Sequence, residues 1–350
     1  MKKKLRFLPA TLCLLILLAG SALYLYSRTQ AREERRHLYM MDTLIEIVFY
    51  GPNAPGAADA LETKLKRWEE NTSLYCPQGD IGRLNAKAGD GEPVALSEEV
   101  FSLLQNLSAW SLKSEGCFDP TIAPLTLLWN VRGENPQVPS ARAVAEALSL
   151  VDVGDLQLDP TACSAKLMRP GQAVDLGGAA KGAASALAFE TMEDCRVANG
   201  YVSFGGNLAV RGKRPDGKDF RFGVRDPWGS ESAFFATLSL EGKTMATTGD
   251  YIRYFEENGV RYSHLLDPRT GYPAKGELCS VSVVAKDGAL ADFLSTALFI
   301  AGKDAVLARM QEADFQLIAV DREKNVYVSA GLQENLQPNP DSPDFNFHFL

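Results

Sequence analysis

Of the three histidines in this 350-residue chain, His264 stands in the stretch RYSHLLDPRTGYP, Arg261 to Pro273. Imidazole is the side chain whose ordinary pKa suits proton transfer near neutrality. Asp267 and Arg269 follow in a turn that Pro268 and Gly271 favour, close enough in sequence to orient or counterbalance the ring. Asp250, upstream in TTGDYIRYF, is a rival base. A second constellation lies in ALADFLSTALFIAG. Asp292 and Thr296, four apart on an otherwise apolar helix, share one face and offer oxygen donors suited to a hard cation such as Mg²⁺. Ser295 neighbours them. Two oxygens do not fill an octahedral shell, so a carbonyl, water or substrate phosphate must complete it. The alternative reading has Asp292 complementing a helix dipole and Thr296 satisfied within the helix.

In VDLGGAAKGAASALAFE, Asp175 ends a strand, Gly177 and Gly178 follow, and Lys181 stands at a helix start. Glycines let the backbone approach a ligand closely, and the free N–H groups of a helix N-terminus receive phosphate. The spacing is neither a Walker loop nor G-x-G-x-x-G, and a tight turn with an exposed lysine accounts for it equally. Cys117, Phe118 and Asp119 in GCFDPTIAPLTLLWN form either a pocket wall for a ring system or an ordinary buried loop. Tyr75, in SLYCPQGDIGRLN, reads as exposed.

The elements that must position these groups follow from periodicity and punctuation. MDTLIEIVFYG alternates as a strand. Helices are expected over about 55–71, after Ser97 with a stripe of Val100, Leu103, Leu104, Leu107 and Trp110, and after Ser140. Beyond Val151 the pattern turns strand-rich: CSAKLM, QAVDLGG, GYVSFGGNLAVRG, DFRFGVRD, FFATLSLEG, FQLIAVD and NVYVSAG. Helices interrupt at about 179–193, 290–301 and 304–312. Asn258-Gly259 signals a hairpin turn. Strands joined mostly by hairpins, with interspersed helices, make the class α+β with largely antiparallel sheets.

A 46% hydrophobic content supports a substantial core, and a formal charge of −8 with no basic run in the globular part argues against nucleic acid. Six cysteines without C-x-x-C spacing read as free thiols. MKKKLR followed by an uncharged run from Phe7 to Tyr26 matches a hydrocarbon core of roughly 30 Å. Residues 1–27 are therefore expected to be a signal-anchor, with a cleaved signal peptide as the rival, and the body is expected on the extracytoplasmic side of the cytoplasmic membrane. Residues 28–37 read as a charged linker, 38–331 as the working domain and 332–350 as an extended tail.

Taken in order, MDT, SLYCPQGDIGRLN, GCFDPTIAPL, VDLGGAAKG, VSFGGN, ATTGDYIRYF, YSHLLDPRTGYP and ADFLSTALF resemble the FAD:protein FMN transferases, the ApbE-type flavin transferases, over roughly Tyr39 to Gly331. Asp42 departs from the family's usual glycine, Cys117 replaces a small residue, and Leu265-Leu266 replaces a pair of isoleucines. The resemblance implies an ApbE-like fold and Mg²⁺-dependent transfer of the FMN half of FAD to a Ser or Thr hydroxyl of an acceptor protein, with AMP released. That acceptor would be a redox membrane-complex subunit or an extracytoplasmic reductase. It further implies FAD contacts at Met41, Tyr75, Cys117, Phe118, Asp119, Asp175, Lys181 and Leu266. The metal would lie between the Gly178 carbonyl, Asp292 and Thr296, with Ser295 as an additional candidate. His264 then becomes the favoured base or substrate-aligning group, with Asp250 as its rival. Two alternatives remain at this stage: a metal-dependent FAD pyrophosphatase yielding FMN and AMP, and a non-enzymatic flavin-binding protein.

Overall fold

The computed structural model describes residues 15, 16, 18, 20, 29 and 32–350. The expected membrane segment, Phe7 to Tyr26, lies outside the described residues except for four isolated positions. No helix among the described residues is long and apolar enough to cross a membrane.

Nine strands form the main sheet, and their order across it follows the chain: β1 (Glu33–Met40), β2 (Thr43–Tyr50), β3 (Asn199–Phe204), β4 (Asn207–Arg211), β5 (Lys243–Gly249), β6 (Leu278–Ala285), β7 (Phe315–Asp321), β8 (Asn325–Val328) and β9 (Asn346–Phe349). Neighbours are antiparallel except β8 and β9. Among the described residues from 32 onward the α-helices are α1 (Ala54–Thr72), α2 (Asp80–Ala86), α3 (Glu98–Ser111), α4 (Ala123–Trp129), α5 (Ala141–Leu148), α6 (Ala180–Asp194), α7 (Gly288–Ala301) and α8 (Lys303–Leu307). The α+β expectation holds.

The sheet separates two cores. On one face Ile45, Ile47 and Phe49 of β2 belong to the same cluster as Leu61, Leu65 and Trp68 of α1 and Ala291 and Leu298 of α7. On the other, Val210 of β4 and Ile318 and Val320 of β7 cluster with Phe235 and Leu238 of a three-stranded sheet formed by Phe220–Arg225, Phe234–Leu240 and Leu336–Pro338. β6 lies between the two and is buried along its whole length, Ser280 and Ser282 included.

The α6–α7 crossing is set by glycine. A Cβ on Gly182 would lie 2.0 Å from the Gly288 carbonyl oxygen, and one on Gly288 would lie 2.0 Å from Ser185 Oγ. The absence of side chains there lets the two backbones touch and brings the start of α6 against Asp292. At the 254–263 hairpin, Asn258 and Gly259 both take positive φ (53° and 75°), the turn geometry that their types favour.

Several expectations are corrected. Glu33–His37 are not a linker but most of β1, whose Arg36 pairs with Asp59 of α1. The tail is not merely extended, since Leu336–Pro338 joins the three-stranded sheet and Asn346–Phe349 is β9. QAVDLGG is a loop with one bridge, Ala173 to Ile122. Ser97 does not cap α3; its hydroxyl and N–H donate to the buried Asp80 carboxylate at 2.6 and 2.8 Å. Ser140 does cap α5, accepting from the Ala143 N–H.

Candidate active site

A cleft of about 230 Å³ opens where the end of β5, the β3–β4 turn, the start of α6, the Asp292–Thr296–Ile300 face of α7 and the loop before α4 meet. Of the residues singled out in the sequence, Tyr75, Cys117, Phe118, Asp119, Asp175, Gly178, Lys181, His264, Leu266, Asp292 and Thr296 line it. These come from segments far apart in the chain, so the fold unites what the sequence only strings together.

The deepest polar corner is built on α7. Asp292 is 3% exposed, and its Oδ2 accepts the Gly182 N–H at 2.8 Å in the first turn of α6, where the helix dipole favours negative charge. Its other oxygen has no partner among the described residues. Ser295 Oγ donates to the Asp292 carbonyl at 2.9 Å and lies 2.8 Å from Thr248 Oγ1, which in turn lies 3.1 Å from Thr296 Oγ1. Each hydroxyl has one proton, and a carbonyl only accepts. The chain of donation therefore runs from Thr296 to Thr248 to Ser295 to the Asp292 carbonyl, leaving lone pairs of Thr296 free on the cleft side. Ser295, fully buried and committed at both ends, is a support for this corner and not a lining residue. A Cβ on Gly178 would stand 3.5 Å from Thr296 Oγ1, so the Gly178 backbone closes the same corner.

Among the described residues no group of three or more His, Cys, Asp or Glu gathers to hold a metal. One carboxylate, one oriented hydroxyl and a neighbouring backbone form instead a sparse all-oxygen donor set. That set fits a hard divalent cation that keeps water or substrate oxygens as further ligands.

The acids nearer the mouth have other duties. Asp175 accepts from the Gly177 N–H at 2.8 Å and the Thr126 hydroxyl at 2.9 Å, fixing the loop that leads into α6. Asp119 accepts from the N–H and hydroxyl of Thr121 and from the Val153 N–H, while burial pushes its carboxyl up. Both line the cleft, but their carboxylates brace its walls. Lys181 reaches the Gly177 carbonyl at 3.2 Å. Met41 departs from expectation: it is not in the lining, takes a positive φ of 51°, and its N–H donates to Glu69.

His264 is the cleft's imidazole. Its Nδ1 lies 3.1 Å from the Arg253 carbonyl oxygen. Because a carbonyl only accepts, Nδ1 carries the hydrogen and Nε2 keeps its lone pair. Burial first, then the nearby Arg132 charge, pushes the imidazole from its ordinary value of 6.5 down to about 3, against the pull of the Arg253 carbonyl. His264 is therefore neutral at physiological pH. Asp267 and Arg269 do not orient it; they pair with each other at 2.8 Å. Asp250 is no rival base in this cleft, because its carboxylate pairs with Arg322 at 2.6 Å and bounds a different cavity.

Sequence reasoning missed Thr248, Arg132 and Arg253. Both arginines line the cleft and pair with Asp42 Oδ2, at 3.1 and 3.2 Å. Asp42 itself sits at φ 56°, a conformation natural to glycine that aspartate tolerates better than most residues. The departure at Asp42 was the one available signal for this charge cluster.

Comparison with known proteins agrees with this geometry. The model of the ApbE family matches residues 41–319. The FAD:protein FMN transferase of Klebsiella pneumoniae is 31% identical over 275 residues, covering 78% of this chain and 85% of that protein. That of Haemophilus influenzae is 30% identical over 276 residues, covering 77% and 80%. The crystal structure of the ApbE protein from Thermotoga maritima aligns with a TM-score of 0.76 at 31% identity, covering 89% of this chain and 98% of that one.

Proposed function

This chain belongs to the ApbE family, and from that premise we propose that it transfers the FMN half of FAD to a Ser or Thr hydroxyl of an acceptor protein, releasing AMP. The observation that carries the reading is the convergence in one cleft of an oxygen-donor corner, a lysine at a helix start and a neutral imidazole with a free Nε2. Asp292 and Thr296, with the adjoining Gly178 backbone, would hold Mg²⁺. When bound there, the ion supplies charge neutralisation at the pyrophosphate.

The chain's own groups account for the rest. Lys181 would face the phosphates from the start of α6, where the Ala180 and Gly182 N–H groups are already committed to the Leu176 carbonyl and to Asp292. Phe118 and Leu266 offer apolar wall to a ring, and Tyr75, 65% exposed, stands at the mouth. The cleft is smaller than a usual complete ligand pocket, so part of FAD would lie along that open mouth. His264 Nε2 takes the proton of the acceptor hydroxyl as its oxygen forms a bond to the FMN phosphorus. The bridging P–O bond breaks, and AMP leaves with the electron pair.

The test is incubation of the full-length chain with FAD, Mg²⁺ and an acceptor bearing a Ser/Thr-Gly-Ala-Thr-like motif. A fluorescent acceptor band and an intact-mass gain of one FMN phosphoryl unit are expected. AMP release with the acceptor unlabelled would make the protein a pyrophosphatase instead. Truncation at residue 38 is unsuitable, because it would remove most of β1.

The basic start and span-length apolar run of the sequence support the further proposal that this body works outside the cytoplasmic membrane on a single N-terminal anchor. Protease added to intact spheroplasts should digest the body, and a high-salt wash should leave it with the membrane. Protection until lysis would place the body in the cytoplasm.

A further inference from the structure

A second cavity lies behind the hairpin that carries His264. Asp250, Arg261, Ser263, Lys275, Gly276 and Arg322 bound it. Ser263, the last residue of the hairpin's second strand, lines this cavity, whereas His264, the next residue, lines the active-site cleft. Three cations meet a single carboxylate here. Asp250, itself buried, holds one edge of the Arg322 guanidinium at 2.6 Å, and the Gly276 carbonyl accepts from its Nε at 2.8 Å. The guanidinium is thus fixed in place, and its remaining Nη1 meets only the Cys279 sulfur at 3.9 Å. Arg261 stacks on Tyr254 at 4.0 Å and touches Glu256 at 3.5 Å. Lys275 is exposed and has no ion pair or hydrogen bond among the described residues. Ser263, 4% exposed, keeps its Oγ buried with no hydrogen-bond partner. A buried hydroxyl without a partner is costly, and one lining a cavity of excess positive charge is a donor awaiting an acceptor.

We propose that this cavity is a second binding site, separate from the active-site cleft, and that it takes an oxyanion between Lys275, Arg322 and the Ser263 hydroxyl. Carboxylate and phosphate share the required chemistry: negative charge in the cation field and an oxygen to accept from Ser263. Neither group is supplied by the chain itself, since Asp250 is committed to Arg322.

The test is calorimetric titration of the full-length chain at low ionic strength with inorganic phosphate and, separately, with acetate. Lys275→Gln is expected to weaken binding about tenfold, and Ser263→Ala several-fold, as loss of a charge-assisted or previously unmatched hydrogen bond would. Ser263→Ala should leave the melting temperature of the anion-free protein unchanged or raise it, because the hydroxyl makes no bond there and its unpaired burial is costly. Lys181→Gln, in the other cleft, should leave this affinity unchanged. Tighter acetate binding would assign the site to carboxylates such as an acidic side chain, and tighter phosphate binding to phosphoryl groups. The proposal is overturned if neither anion binds, if affinity survives both Lys275→Gln and Ser263→Ala, or if Lys181→Gln alone abolishes it.

Discussion

Asp292→Asn is expected to eliminate Mg²⁺-dependent FMN transfer, by a factor of about 10³ or more, in a protein that still folds. The magnitude follows from the several kcal/mol of charge stabilisation that a catalytic cation supplies, each ~1.4 kcal/mol being tenfold in rate. Asparagine is preferable to alanine for a local reason. Asp292 Oδ2 accepts the Gly182 N–H where α6 and α7 touch, and an amide oxygen can keep that bond while the charge is lost. Alanine would also leave the N–H unpaired, at a cost of about 1–3 kcal/mol. Thr296→Ala should weaken apparent Mg²⁺ affinity less, since water can replace a hydroxyl ligand. Mg²⁺ binding by calorimetry and transfer at limiting Mg²⁺ are the measurements. An Asp292→Asn protein that binds the ion and transfers normally would remove the metal site from α7.

How far the site was legible in the sequence depended on whether its parts share one element. Asp292 and Thr296 were readable because helical spacing alone puts them on one face. Gly177, Gly178 and Lys181 were readable only in part, because paired glycines before a helix start suit a tight turn as well as a phosphate contact, and the strand expected before them is a loop. Thr248 was not: its hydroxyl matters only because β5 ends beside α7, a contact that no local pattern encodes. Arg132 and Arg253 are joined by Asp42, across separations that periodicity cannot see. Asp250 misled because it follows Gly249, which lines the cleft, yet its own side chain turns to the other side of the chain. The fold shows the same division. Long amphipathic helices such as α1 and α3 were evident. The seven-residue α2 and α4 are too short to establish a period. β1 read as a linker because its alternation is between charged residues, and becomes a strand only by pairing with β2 along its whole length.

His264→Asn is expected to slow FMN transfer by about 10²–10⁴-fold, the usual consequence of removing a positioned proton acceptor, with FAD affinity little changed. The structure alters the form of the test. With its pKa pushed down to about 3 by burial and by Arg132, His264 is already neutral throughout the physiological range. The pH profile of kcat/KM, which reports the free enzyme, should then show no His264 inflection near 6.5, and the deficit of the variant should be the same from about pH 6 to 8. A base with an ordinary imidazole pKa would instead lose activity as pH falls through 6.5, and the gap between wild type and variant would narrow on the acid side. Stability has the matching sign. Between 6.5 and about 3 the unfolded chain binds the proton that folded His264 refuses, so the stability due to this residue is present above 6.5 and is lost as pH falls towards 3. Asparagine has no such titration, so the variant should lose that part of the acid sensitivity. A variant that binds FAD poorly yet transfers at the normal rate once saturated would assign His264 to the pocket wall, and with it would go the proton-accepting role of Nε2.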